Sequence, residues 1–285
     1  MTLPLPTIAA RMMTVACFGF PSNRDKIDRL VSEGTAPLSV LVALIGTDPL
    51  LSAQVLGQAN SASSAELTQL TTAMAHLGLG SVHGLVKASV PVPDHLRRDL
   101  AGCWSLANAC ANMTRVLADY CTPTLAAKSD EETLHLAGLL HDLGTIVAMT
   151  HFGDDYARAV ARLDGPGNQN INRLLREELG ADQVALGTLL ATYWRLPPLI
   201  TACIRYHQQP LRADGFQETV ALVHVARCLV RACGFVAGAD RFLDPLDEPA
   251  LALLKLRISD LERILERFYD QMEELELYEG VLAKA

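Results

Sequence analysis

Apolar residues recur three and four positions apart along almost the whole chain, the period of helices with one buried face. Alternating patterns joined by hairpin turns do not occur, so the expected fold is all-α. Pro6–Gly19 opens with a Pro-initiated helix, and Ser22 or Asn23 caps a second through Val31. Pro37–Ile45 reads as a short, very apolar third. Asp48-Pro49 is a start signal: Asp48 accepts free N–H groups and Pro49 suits the first helical position. That helix runs to about Asn60, with Asn60-Ser61 ending it. Thr71–Leu77 and Ser81–Ser89 follow, punctuated by Gly78 and Gly80.

Val90–Asp94 carries two prolines and breaks the pattern, which places a boundary there. The expected organisation is an N-terminal helical subdomain over 1–92 packed on a helical bundle over 93–285. In the second part, His95–Cys121 reads as one long helix. Further helices are expected near Asp154–Arg162, Asn172–Leu179, Asp182–Trp194, Pro198–His207 and Glu218–Cys233, with a Gly/Asn-rich loop at Gly165–Asn170. A last helix opens on a capping box of Ser259 and Glu262 and carries Leu261, Leu265, Phe268, Met272 and Leu275 on one face. That stripe reads as core; were it exposed, it would be a homodimer seam.

The stretch Leu134–Met149 stands apart. Ser129 and Glu132 read as its capping box. Leu136, Leu139, Leu140, Leu143, Ile146 and Val147 make one face, while Ala137, Gly138, Thr145, Ala148 and Met149 make the other. A helix apolar or small all round is buried, yet this one carries His141 and Asp142 near its middle. Buried charge is unfavourable unless paired or bound to a metal.

Composition narrows the function classes. The net charge is −8, and residues 1–92 are balanced, so the acid excess lies beyond them. An acidic chain lacks the electrostatic footprint for wrapping phosphate backbones, and nucleic acid is not an expected partner. The start has no early basic cluster and no apolar run is long enough to span a bilayer, so a cytoplasmic protein without a membrane partner is expected. The seven cysteines are odd in number and form no CxxC pair, which fits buried thiols. His76, His83, His95, His135 and His151 show no metal-ligand spacing, and no phosphate-binding glycine loop occurs.

LLHDLG around His141-Asp142 resembles the His-Asp motif of the HD superfamily, whose members are mostly metal-dependent phosphohydrolases. Four other segments narrow the resemblance to its HDOD branch. They are LPLP at Leu3–Pro6, the DP…NS segment at Ile45–Ala62, AMAHLGLGSVHGL at Ala73–Leu85, and WRLPPLI at Trp194–Ile200 followed by Tyr206-His207. Together they span roughly Leu3 to Arg231, and they imply an HDOD-type multi-helix fold.

The resemblance also implies a ligand set, and this chain departs from it. The first His of the family pattern falls on Leu106. His141 and Asp142 are kept. The next His falls on Gln183, the His pair is Tyr206-His207, and the closing Asp falls on Arg227. Leucine cannot ligate, an amide oxygen is a poor ligand for a transition metal, and a guanidinium repels one. His141, Asp142 and His207 are the remaining weak candidates for a metal. Two readings of Arg227 stand: an ion pair with Asp142, or a solvated stripe with Gln217, His224 and Arg231. No catalytic residue and no cofactor is expected. The reading is a non-catalytic signal-transduction module, such as the output part of a response regulator. It would act by binding another signalling protein or a small ligand. The alternative is a metal-dependent phosphohydrolase acting on a nucleotide or cyclic dinucleotide.

Overall fold

The long helix α7 (Arg97–Tyr120) forms the axis of the molecule, because its sequence is apolar or small on more than one side. Leu100, Trp104, Leu106, Cys110, Met113 and Leu117 are all buried. In this computed structural model the described residues are 5–12, 18–19, 21–34, 37–121, 130–163, 170–239, 243 and 245–282. The described residues are mostly helical, as the periodicity predicts; the one strand pairing described is two residues long, with Phe18–Gly19 parallel to Val90–Pro91.

Among the described residues, α1 (Leu5–Met12), α2 (Pro21–Glu33), α3 (Leu38–Ile45), α4 (Pro49–Ala62), α5 (Leu70–Leu77) and α6 (Leu79–Ala88) precede the axis. After it come α8 (Glu131–Leu140), α9 (Leu143–His151), α10 (Gly153–Ala161), α11 (Ile171–Glu178), α12 (Gln183–Tyr193) and α13 (Pro198–Tyr206). The described chain closes with α14 (Gln217–Ala232), α15 (Glu248–Leu254) and α16 (Leu261–Leu282). Helices α8, α14 and α16 pack around α7, α9 packs on α12, and α1 reaches across to α12. The buried apolar residues from Ile8 to Phe268 form one continuous core.

The turn between α3 and α4 shows how the local signals work. Asp48 Oδ1 accepts the N–H groups of Leu50 and Leu51, both at 3.0 Å, as the Asp-Pro start predicts. The Ser52 hydroxyl donates to the Ile45 carbonyl at 2.7 Å. The Trp104 indole of α7 also favours the Asp48 carboxylate. Asp48 is 3 % exposed, and burial pushes its carboxyl up to about 6. A carboxyl raised above its unfolded value contributes stability that is present at low pH and lost as pH rises through the folded value. Asp48→Asn keeps an acceptor oxygen and removes the titration. Relative to the parent it should gain on the order of 3 kcal/mol between pH 4 and pH 7, read from urea unfolding at both pH values. An unchanged difference would mean that the carboxyl is not held protonated.

Several expectations are corrected. Leu134–Met149 is not one helix: α8 ends at Leu140, His141 and Asp142 form a turn, and α9 starts at Leu143. The α8 cap is Asp130, whose Oδ1 accepts the Thr133 N–H at 2.9 Å; Ser129 lies outside the described residues. Glu132 instead accepts the Thr71 N–H of α5 at 2.6 Å. Asn60 does not end α4, which runs to Ala62; its side chain clamps Leu67, accepting the N–H and donating to the carbonyl, both at 2.9 Å. The last capping box is Arg257 and Asp260 rather than Ser259 and Glu262, with the Arg257 N–H donating to Asp260 Oδ2 at 3.3 Å. Of the last-helix stripe, Phe268 is fully buried together with Ile264, while Leu261, Leu265 and Met272 pack partly buried against the core. Leu275 carries no described side chain, and the Gly165–Asn170 loop falls outside the described residues but for Asn170, which caps α11.

Candidate functional site

The His141–Asp142 turn exists because α9 must approach α12 more closely than a continuous helix would allow. Gly144 sits against the backbone of Gln183 and Gly187, where an added Cβ would come within 1.7 Å of the Gln183 carbonyl oxygen. The α8 side is equally tight: a Cβ on Gly138 would lie 2.7 Å from Ala111 Cα and from the Cys110 carbonyl oxygen of α7. The turn is thus wedged between two helices.

His141 and His207 occupy equivalent places, each the residue that ends a helix, α8 and α13. His141 Nδ1 lies 2.7 Å from the Gly138 carbonyl, and His207 Nδ1 lies 3.0 Å from the Ile204 carbonyl. A carbonyl only accepts, so both rings carry the proton on Nδ1 and present a bare Nε2. Among the described residues neither Nε2 has a hydrogen-bond partner. The rings meet edge to face, 5.1 Å between centroids at 84°. They are 1 % and 0 % exposed. Burial pushes His141 down to about 4, with Arg227 adding to the effect against the opposing pull of Asp142. Burial pushes His207 well below the usual imidazole range, helped by His141 and by Arg227.

Asp142 and Gln183 meet through a residue that sequence reasoning assigned only to a helix face. Thr145 Oγ1 lies 2.6 Å from Asp142 Oδ1 and 2.8 Å from Gln183 Oε1. A hydroxyl has one proton, and the carboxylate is the stronger acceptor; the amide best meets the same oxygen by presenting its NH₂. Gln183 is buried. A hydroxyl three residues after the acid, at the start of a helix, is the signal that could have found Thr145.

The Asp142 carboxylate takes the Thr145 hydroxyl. The solvated-stripe reading of Arg227 is corrected: Gln217 is exposed, but His224, Arg227 and Arg231 are 3 %, 2 % and 2 % exposed. Helix α14 is covered on all sides by α7, α8, α13 and α15, so its polar residues point into the protein. His224 shows how they are accommodated. Its Nδ1 donates to the His207 carbonyl at 2.8 Å and its Nε2 accepts the Asp247 N–H at 3.2 Å, joining three helices. Leu106 is a buried core residue of α7. Tyr206 is half-buried, with the Arg205 guanidinium stacked 5.1 Å from its ring centre.

The donor set does not fit the metal that HD-type chemistry uses. Two imidazoles turn bare nitrogens inward, but the nearby carboxylate is engaged by Thr145. The Arg227 charge acts on both rings, and among the described residues no three His, Cys, Asp or Glu side chains converge. A hydrolytic metal needs such a set with an open position for water. Three of the remaining histidines hold local bonds: His83 with Asp28 at 2.6 Å, His135 with the Gly46 carbonyl at 2.9 Å, and His151 with Thr150 at 2.7 Å.

Residues 19–210, about two thirds of the chain, match the model of the HDOD domain. The chain belongs to the HDOD family. The MmoQ response regulator of Methylococcus capsulatus has a similar structure, with a TM-score of 0.70 at 20% identity over 89% of this chain and 99% of that one. An HDOD domain protein of Geobacter sulfurreducens gives 0.53 at 17% identity over 94% of each chain. A Shewanella amazonensis protein, described provisionally as a phosphohydrolase, gives 0.51 at 21% identity over 92% and 93%. At these identities the likeness is one of fold. No curated protein matches this HDOD chain. Among the described residues of this HDOD protein, no single helix is long and apolar enough to cross a membrane.

Proposed function

We propose that this HDOD protein is a non-catalytic signal-transduction module that works by binding another signalling protein or a small ligand. The observation that carries the reading is the closure of the HD site. His141 and His207 are buried against each other, with the Arg227 charge bearing on both. A reacting phosphate ester needs an open, metal-bearing face, and these side chains offer a packed one. The His141–Asp142 turn joins α8 to α9 at the centre of the bundle. A binding event that favours one packing of these helices over another would be passed on through them.

The reading is tested by offering the full chain a panel of nucleotides and cyclic dinucleotides with manganese or iron(II). The expected result is no hydrolysis above the protein-free control. Metal-dependent turnover that His141→Ala abolishes would overturn it.

A further inference from the structure

Away from the HD site, α7, the first turn of α8 and α16 enclose a cleft of about 160 Å³. Arg115 and Asp119 of α7, Glu131 of α8 and Arg267 of α16 stand around it, over Val116 and Leu134, which are buried. The charges are paired crosswise: Arg115 with Glu131, and Arg267 with Asp119 at 2.6 Å. All four side chains are partly exposed, between 35% and 70%. Ion pairs of that kind contribute little and exchange readily for another partner. Among the described residues Arg115 Nε has no acceptor. Burial disfavours the Arg115 cation, Asp119 favours it, and the Arg267 charge opposes it again.

The charge balance selects the ligand. An anion alone meets Asp119 and Glu131, and a cation alone meets both guanidinium groups. A molecule with both signs one carbon apart satisfies the set. Its carboxylate would meet the exposed guanidinium groups of Arg115 and Arg267, and its ammonium would face Asp119 or Glu131. The apolar floor suits a short aliphatic side chain. The volume is about half the lower limit for drug-sized ligands, enough for roughly ten non-hydrogen atoms. We propose that this cleft binds a free α-amino acid with a small aliphatic side chain. The proposal rests on the reading of the chain as a regulatory module and names a ligand class for it. The bound molecule would tie α16 and α7 to the start of α8, the helix that ends at His141 and whose Glu132 already holds α5.

The test is thermal unfolding and calorimetry of the full chain with each standard L-amino acid at millimolar concentration, with inorganic phosphate and ammonium chloride as single-charge controls. One or more small aliphatic amino acids should raise the unfolding temperature and bind at one site per chain. Their N-acetyl and amide derivatives should fail. Asp119→Asn and Arg267→Gln should each weaken binding by about tenfold or more. Both side chains are half-exposed, so the ligand-free variants should unfold at the parent's temperature. Silence from every amino acid, an effect of phosphate alone, or unchanged binding by both variants would overturn the site. None of these outcomes bears on whether the HD site hydrolyses nucleotides, which the turnover assay decides separately.

Discussion

Gly144→Ala should destabilise the protein by about 3 kcal/mol or more and lower its urea midpoint well below the parent's. The new Cβ would lie 1.7 Å from the Gln183 carbonyl oxygen, with the Gly187 backbone nitrogen at 2.8 Å. Both obstacles are main chain and cannot rotate away. Relief therefore requires α9 and α12 to separate, which costs more than the usual penalty of overpacking a core. Separation would also pull Thr145 away from Gln183, breaking the link between the turn and α12. Gly84→Ala is the matched control. Gly84 is inside α6 with nothing within 4 Å of its added Cβ, so the change should be neutral or stabilise by up to about 1 kcal/mol. Urea midpoints of the two variants decide it. Equal midpoints would mean that α9 and α12 are not in the contact described.

Acid should destabilise the fold well above the range where carboxylates titrate. Five histidines are held below their ordinary value: His141 and His207 at the turn, and His135, His151 and His224 elsewhere, all by burial first. A base depressed in the folded state keeps its full contribution above the unfolded value near 6.5. It loses that contribution as pH falls, because the unfolded chain takes up a proton that the folded chain refuses. With His141 down to about 4, its loss between pH 6.5 and 4 is on the order of 3 kcal/mol. His207 adds a further loss of the same sign. Asp48, pushed up to about 6, works in the opposite direction and offsets part of it. The net expectation is a fall of at least about 3 kcal/mol in unfolding free energy from pH 7 to pH 4.5, steeper in the Asp48→Asn background. Stability that is flat or rising over that interval would show that the two rings are not buried and neutral.

The sequence and the structure agree where a local rule has no rival. Asp48-Pro49 needs only its own backbone to start a helix, and α4 begins there. The period of three and four located α7, α12, α13 and α14 within a few residues, because each has a long apolar face. The break at His141–Asp142 was not legible. Its cause is the approach of Gly144 to Gln183 and Gly187, some forty residues further on, and no local pattern records that distance. The helix starts near 130 and 260 were legible but their capping groups were not: Asp130 caps α8 while Glu132 bonds α5, and Asp260 accepts the Arg257 N–H. Helix α15 was missed because Glu248–Leu254 is too short for periodicity to register.

The candidate site was half legible. The pairing of His141 with His207 followed from the family pattern, and so did the presence of Arg227 near them. The burial of α14 did not. Its polar residues fall on one face, which reads as a solvated stripe until the neighbouring helices are placed. The role of Thr145 was hidden for a similar reason: in a continuous helix it belongs to an inert face, and only the break turns it into the link between Asp142 and Gln183.

Whether the closed HD site takes up a metal is read from plasma mass spectrometry on protein purified without chelators and without a metal-binding tag. Less than about a tenth of an equivalent of iron, manganese or zinc is expected, because two buried imidazoles under the Arg227 charge fall short of a metal's ligand set. Near-stoichiometric metal that His141→Ala and His207→Ala each remove would contradict it.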